Sequence, residues 1–336
     1  MCYIYNMEGM KVTTKKIKEF KKVPDTSITN EYATSENSLR APGLTLVIGT
    51  RNTGKSYTTA KILHQAKDDK LYDRFFMITP TYDSNRRYWD FLDIDEEDVH
   101  YPTHDAIDKI IASLEEERDE WTSFVMSKKL YEDFKSKTKN AKNIHNMDLL
   151  DLNTFIDLGF LDEEGNPTDV PAPMWKRDIE RPCQSCLICD DILGSSALKN
   201  APGLTKLAIQ NRHIAPLQEP FGARAALGVS CYFLSQCYKG GGGGNTGGIP
   251  RGLRENATNL IFFRNKSENV FKAIIEELGG ALAEEEIKAA YKYCVVEKHD
   301  NMMIDLFPRC ETKRYRKNLN EFVMFGEAAA NCKCKK

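Results

Sequence analysis

Residues 49–56 read GTRNTGKS and stand directly behind the apolar run Leu44-Thr45-Leu46-Val47-Ile48. This junction limits the possible folds more than any other stretch of the chain. A short run without polar alternation is expected of a strand buried on both faces, the setting of a parallel sheet covered by helices. The residues after the loop, KSYTTAKILHQ, read as a helix. A second strand is expected at Phe75-Phe76-Met77-Ile78-Thr79, closing on Pro80-Thr81, and the three pieces together make a βαβ unit.

The loop itself has the pattern GxxxxGK[ST]. A bound triphosphate needs backbone N–H donors, a cation and an oxygen that can reach a metal ion, and the loop offers these in sequence order. Gly49 and Gly54 let the backbone wrap closely, Lys55 is expected to reach the β- and γ-phosphates, and Ser56 to hold Mg2+. The expected ligand is ATP, contacted by Gly49, Thr50, Arg51, Asn52, Thr53, Gly54, Lys55, Ser56 and Tyr57.

Hydrolysis asks for more: a carboxylate that holds the metal and a second group that orients or deprotonates the attacking water. CLICDDI at residues 186–192 supplies a pair, with Asp190 at the end of a buried strand as the metal-side ligand and Asp191 as the catalytic base. The plain alternative is a strand cap and turn. The strand Gly228 to Leu234 ends in Ser235-Gln236, and Gln236 is placed to sense the γ-phosphate or fix the water. Arginines that stabilise transition-state charge often come from the next subunit of a ring. The candidates, in order, are Arg254 and Arg251 in IPRGLREN and Arg212 in QNRH, each of which could equally form a surface salt bridge. His213 either positions Arg212 or is an ordinary hydrogen-bonded histidine.

The chain has 336 residues, 41% of them hydrophobic, enough for one large or two ordinary domains with a sizeable core. Its formal net charge of -2 argues against generic polyanion binding, so any nucleic-acid contact must be local. Ten cysteines would suit a disulfide framework only in a small exported protein, and free thiols are expected here. CQSCLIC holds a C-x2-C-x2-C pattern, but Cys186 and Cys189 fall in a predicted buried strand and no second pair follows at zinc-finger spacing, so no zinc is expected. Cys332 and Cys334 are expected to be solvated thiols. There is no run of roughly 18 apolar residues, and MCYIYNMEGMKVTTKK lacks a signal peptide's apolar segment, so the cytoplasm is the expected compartment.

Along the chain, residues 1–40 form a polar arm with a basic run from Lys11 to Lys22, read as a solvated tail or as a segment that docks to a partner or to DNA backbone. Residues 41–312 form the core. Within it Ile107, Ile110, Ile111 and Leu114 mark an amphipathic helix running on toward Phe134, and about 115–180 is a charged insertion between core strands. Strands are expected at Ser185 to Cys189, Leu260 to Phe263 and Met302 to Ile304, with helices from Ser267 to Leu278 and from Glu284 to Cys294. GGGGGNTGG at 240–248 is a flexible low-complexity loop that cannot pack a core, and 313–336 a basic tail.

Taken together, GTRNTGKS, FFMITPT, CLICDDI, QNRH, FLSQ, IPRGLRENATNLIFF and MMID resemble, in content and order, the genome-packaging ATPases of nucleocytoplasmic large DNA viruses, the poxvirus-like branch of the FtsK/HerA superfamily. The resemblance spans about Leu44 to Phe307. It implies an α/β fold, a RecA-like additional-strand P-loop NTPase with a mostly parallel central sheet flanked by helices, its inserted strand between the loop strand and the Asp190 strand, and a helical insertion. It implies a homo-oligomeric ring, a hexamer or pentamer, that pumps double-stranded DNA into a preformed capsid and engages a capsid or portal component. The site of action would be the viral factory in the host cytoplasm, with association to the virion. Family members often carry glycine where this chain has Asn211, and the charged insertion and the polyglycine loop lie outside the shared pattern. The rival readings are a non-packaging DNA translocase of the same superfamily, a small-molecule or nucleotide kinase, and a nonenzymatic nucleotide-gated scaffold.

Overall fold

The computed structural model describes residues 6–7, 10–11, 31–32, 34, 38–139, 147–192, 201–217, 225–239, 248–265, 268–280 and 282–325. The basic run Lys11 to Lys22 beyond its first residue, most of the polyglycine stretch, and Cys332 and Cys334 lie outside the described residues.

Past a short hairpin of β1 (Asn6–Met7) and β2 (Met10–Lys11), the strands are β3 (Leu44–Ile48), β4 (Arg74–Ile78), β5 (Val99–His100), β6 (Ser185–Asp190), β7 (Val229–Ser235), β8 (Asn259–Phe263), β9 (Asn301–Asp305), β10 (Tyr315–Lys317) and β11 (Glu321–Val323). They form one sheet in the order β11-β10-β9-β8-β3-β7-β6-β4-β5. From β8 to β5 every pairing is parallel, and β9, β10 and β11 extend it antiparallel. β7 lies between β3 and β6, so an additional strand separates the GTRNTGKS strand from the Asp190 strand.

Both faces of the centre of the sheet are covered, which is why β3, β7 and β8 are buried along their whole length. In β3, Leu44, Leu46 and Ile48 enter one apolar cluster and Val47 enters the other, the period-2 alternation of a strand. The helices are α1 (Lys55–Asp68), α2 (Tyr82–Asn85), α3 (Ala106–Thr138), α4 (Leu149–Asp157), α5 (Pro202–Gln210), α6 (Arg251–Glu255), α7 (Glu268–Leu278) and α8 (Glu284–Cys294). α1 lays Ala60 and Leu63 on the Val47 face, while α3, α5, α7 and α8 bury residues such as Ile110, Leu207, Ile274 and Ile287 on the Leu46 face. The fold is an α/β P-loop fold of the additional-strand class with a helical insertion.

α3 carries that insertion. Its 33 residues rise about 50 Å. The first turns, with Ile107, Ile110, Ile111 and Leu114, belong to the main core, whereas Phe134 near its end joins Phe155, Phe160 and Leu161 in a separate small cluster. Between them the returning chain is tied back by charge: Glu117, 2% exposed, faces Arg177 at 2.8 Å, Lys176 at 3.1 Å and Arg74 at 3.6 Å.

Two expected boundaries move. Tyr32, within the expected arm, is 2% exposed, and its hydroxyl donates to the carbonyls of Leu227 and Gly228 at 3.0 Å, so the arm's end is part of the core. At the other end β10 and β11 continue the sheet past residue 312, because Tyr315 to Lys317 pair with Met302 to Ile304. The cysteines of CQSCLIC separate for a geometric reason: Cys183 and Cys189 lie on one face and Cys186 on the other, as an extended chain dictates. Burial pushes the Cys183 thiol up to about 11 and those of Cys186 and Cys189 well above the ordinary range.

Candidate functional site

The carboxyl ends of β3, β6 and β7 meet at one rim of the sheet, where Lys55, Ser56, Asp190, Asp191 and Gln236 gather. Gly49 leaves β3 in a place no side chain could occupy: an added Cβ would lie 2.5 Å from Thr53 Oγ1 and 2.9 Å from the Phe263 Cβ. Asn52 (φ 63) and Gly54 (φ 104) take left-handed backbone angles, and this alternation turns successive N–H groups into the hollow that binds anions. Thr53 Oγ1 donates to the Thr50 carbonyl at 2.8 Å, and the Thr53 carbonyl lies 3.2 Å from His299 Nδ1, which pins the loop from both sides. Gly54 is the N-cap of α1, so the positive end of the helix faces the hollow. Arg51, Asn52 and Tyr57 are exposed around it.

Lys55 is buried, and its Nζ donates to the carbonyls of Gly49 at 2.9 Å and Thr50 at 3.2 Å. Burial lowers its pKa, while Asp191 and Asp190 pull it back up. Its ammonium therefore sits on loop carbonyls that an incoming phosphate can replace.

Ser56 Oγ donates to Asp190 Oδ2 at 3.1 Å across 134 residues of sequence. Asp190 is the last residue of β6 and 4% exposed, and its carboxyl is pushed up to about 6 by burial and then by Asp191. A buried carboxylate whose ionisation is costly, paired with a hydroxyl, is a hard-oxygen donor set that fits Mg2+. Ser56 and Asp190 would hold that ion. Asp191, exposed and at φ 52, turns out of the strand, and Gln236 Nε2 from the tip of β7 donates to its Oδ1 at 3.2 Å. The additional strand thus places an amide donor beside the exposed carboxylate.

Lys55, Ser56, Asp190, Asp191 and Gln236 line one cavity of about 650 Å³. Its opposite wall consists of Thr81, Ser84, Asn85, Arg87 and Tyr88, residues that sequence reasoning missed. Their signal was present in TPTYDSNRRY, a polar segment directly after the β4 strand, since ligands of open α/β sheets bind beyond the carboxyl ends of the strands.

None of the three candidate arginines lines this cavity. Arg254 is held within its own chain: it pairs with Glu277, donates from Nε to the Ile249 carbonyl at 3.1 Å and stands 5.2 Å from the Tyr238 ring centroid. Arg251 is exposed and pairs with Glu255 at 2.6 Å. Arg212 and His213 are exposed in the turn between α5 and β7. Asn211 is buried there, and its Nδ2 donates to the Val229 carbonyl at 3.2 Å.

The strand order and the GTRNTGKS hollow define a P-loop nucleotide-binding fold. No protein-family model matches the sequence, and no curated protein matches it. Among solved structures, the genome packaging NTPase B204 from Sulfolobus turreted icosahedral virus 2, in complex with AMPPCP, aligns at 11% identity over 82% of this chain and 97% of its own, with a TM-score of 0.42. The B204 DNA-packaging ATPase from Sulfolobus Turreted Icosahedral Virus aligns at 11% identity over 82% and 96%, with a TM-score of 0.38. The pCW3 conjugation coupling protein TcpA, in monomer form with ATPgS, aligns at 12% identity over 94% and 72%, with a TM-score of 0.40.

Proposed function

We propose that this protein is an ATP-driven motor that translocates double-stranded viral DNA into a preformed capsid. The observation that carries the hydrolytic part is the pair of contacts Ser56–Asp190 and Gln236–Asp191 on either side of Lys55 in one cavity. A loop that only bound nucleotide would need no second carboxylate oriented by an amide. The DNA-packaging part rests on the ordered motif series from GTRNTGKS to MMID.

In this reading Lys55 exchanges its two loop carbonyls for β- and γ-phosphate oxygens. Asp191, oriented by Gln236, accepts a proton from the water as its oxygen bonds to the γ-phosphorus and the bond to the ADP oxygen breaks. Mg2+, when bound at Ser56 and Asp190, supplies neutralisation of phosphate charge. An arginine from a neighbouring copy in a hexameric or pentameric ring completes the site, and Arg212 and Arg251, exposed on their own chain, are better disposed to reach out than Arg254, which Glu277 holds. DNA is held by its phosphates, so binding is insensitive to sequence and weakens with salt. Capsid or portal contact and a place in the cytoplasmic viral factory complete the proposal.

The test is the ATPase rate with and without long double-stranded DNA, for wild type, Lys55→Ala and Asp191→Asn. Stimulation by DNA in wild type and loss of turnover in both variants are expected. Turnover indifferent to DNA and intact in both variants would sink the motor reading.

A further inference from the structure

A second cavity, of about 750 Å³, opens on the other side of the loop. It shares Asn52, Gly54, Tyr57 and Tyr88 with the cavity that holds Asp190 and Asp191, so the two meet over the first turn of α1. Its far wall comes from the opposite end of the chain, His299 to Asn301 before and within β9 and Asn318 to Asn320 after β10. We infer that this cavity receives the nucleoside, base and ribose, of the bound triphosphate, with Tyr57 and Tyr88 beside the base. The inference rests on the phosphate site proposed above and assigns what that site leaves open.

The chemistry of the two cavities is divided as the two ends of a nucleotide are. One holds both catalytic-site carboxylates, Ser56 and Gln236, and suits the metal-bearing end. The other holds two tyrosines, an imidazole and several amides, groups that stack on and hydrogen-bond to an aromatic base, together with two exposed lysines, Lys61 and Lys298, whose charge suits the ligand's polar edge and not a metal ion. Its carboxylate, Asp300, is already engaged, accepting from the N–H groups of Val296 at 3.3 Å and Glu297 at 2.9 Å and from Asn318 Nδ2 at 2.8 Å. Asn318 in turn accepts the Asn301 N–H at 2.9 Å, so the wall is fixed before a ligand arrives. Asn301 is 4% exposed and belongs to the cavity's lining, and its side-chain oxygen finds no partner among the described residues, an acceptor that a ligand donor would satisfy. His299 joins this wall to the loop through the Thr53 carbonyl at 3.2 Å. The cavity of about 730 Å³ at the other edge of the sheet, lined by Asp98, Glu117 and the cations that neutralise them, has no residue in common with the loop.

The test compares ATP with inorganic tripolyphosphate, which has the phosphates and no nucleoside, by calorimetric binding to the whole chain. Asn320→Trp and Lys298→Trp fill the cavity from exposed positions that the phosphate cavity does not share, so neither disturbs the core. Each is expected to weaken ATP by about 10-fold or more while tripolyphosphate affinity stays within about twofold of wild type. ATP affinity unchanged in both variants, or tripolyphosphate weakened as much as ATP, overturns the assignment. Wild type that binds neither compound overturns the phosphate site, and with it the proposed function.

Discussion

Replacing Asp190 by asparagine should stabilise the nucleotide-free protein and at the same time remove its response to magnesium nucleotide. The carboxyl is 4% exposed, and burial together with Asp191 raises it from an ordinary 3.8 to about 6. A raised carboxylate favours the fold while protonated, so that contribution is complete below the ordinary value and is lost as pH climbs through about 6. At about pH 7.5 the ionised group therefore costs the fold about 3 kcal/mol. Asparagine keeps the shape, can still pair with Ser56 and carries no charge, so the variant should melt about 4 °C higher in a chain of this size. Below about pH 3.5 the advantage should vanish, because wild type is then neutral too. With Mg2+ and ATP the order should reverse: wild type gains stability by binding, whereas the variant has lost a metal ligand. Scanning calorimetry of both proteins at the two pH values, with and without magnesium nucleotide, checks every arm. A variant no more stable than wild type at neutral pH, or one whose advantage persists in acid, would refute the reasoning.

Asp191→Asn should keep ATP affinity within a few-fold but lower turnover by about 100-fold or more, as measured by steady-state hydrolysis beside equilibrium binding. Gly49→Ala forces a Cβ to 2.5 Å from Thr53 Oγ1 and 2.9 Å from the Phe263 Cβ, and should cost about 1–3 kcal/mol in urea unfolding along with weakened nucleotide binding. Burial opposes ionisation of Glu117, but Arg177 and Lys176 outweigh it and hold the carboxyl below its ordinary range, so its stabilisation is present above that range and fades on acidification. Glu117→Ala takes the carboxylate from half-buried Arg177, while Arg74 keeps its bidentate pair with Asp98 at 2.7 Å, and should cost about 1–3 kcal/mol at neutral pH. Limited proteolysis should then find the segment around Lys176 and Arg177 cut faster than in wild type, and an unchanged digestion pattern would contradict the tie.

The central strands were legible because each is a largely apolar run, but runs of one kind do not announce their neighbours. The position of β7 between β3 and β6 came from the family resemblance; no residue in VSCYFLS encodes it alone. β10 and β11 were not legible. YRK and EFV are short and mixed in polarity, and they become strands because β9 offers an open edge with matching register. Tyr32 was hidden for a related reason: a single tyrosine in a polar stretch gives no periodicity, and its place depends on the carbonyls of Leu227 and Gly228, nearly two hundred residues away.

The site divides along the same line. The loop was readable because its chemistry is contiguous, with glycines, cation and hydroxyl within eight residues. The opposite wall at Thr81 to Tyr88 was not, since polar residues after a strand become a binding surface only once the next strands set which end of the sheet is open. Asp190 and Asp191 show how far residue identity reaches. The two are adjacent and chemically alike, so composition cannot divide their labour. The division comes from where β6 ends: Asp190 is still paired in register with Leu234 and is buried against Ser56, whereas Asp191 leaves through a left-handed turn toward solvent and Gln236. The backbone turn at Asp191 thus gives two identical side chains a buried, high-pKa setting and an exposed one, the difference on which their proposed division of labour rests.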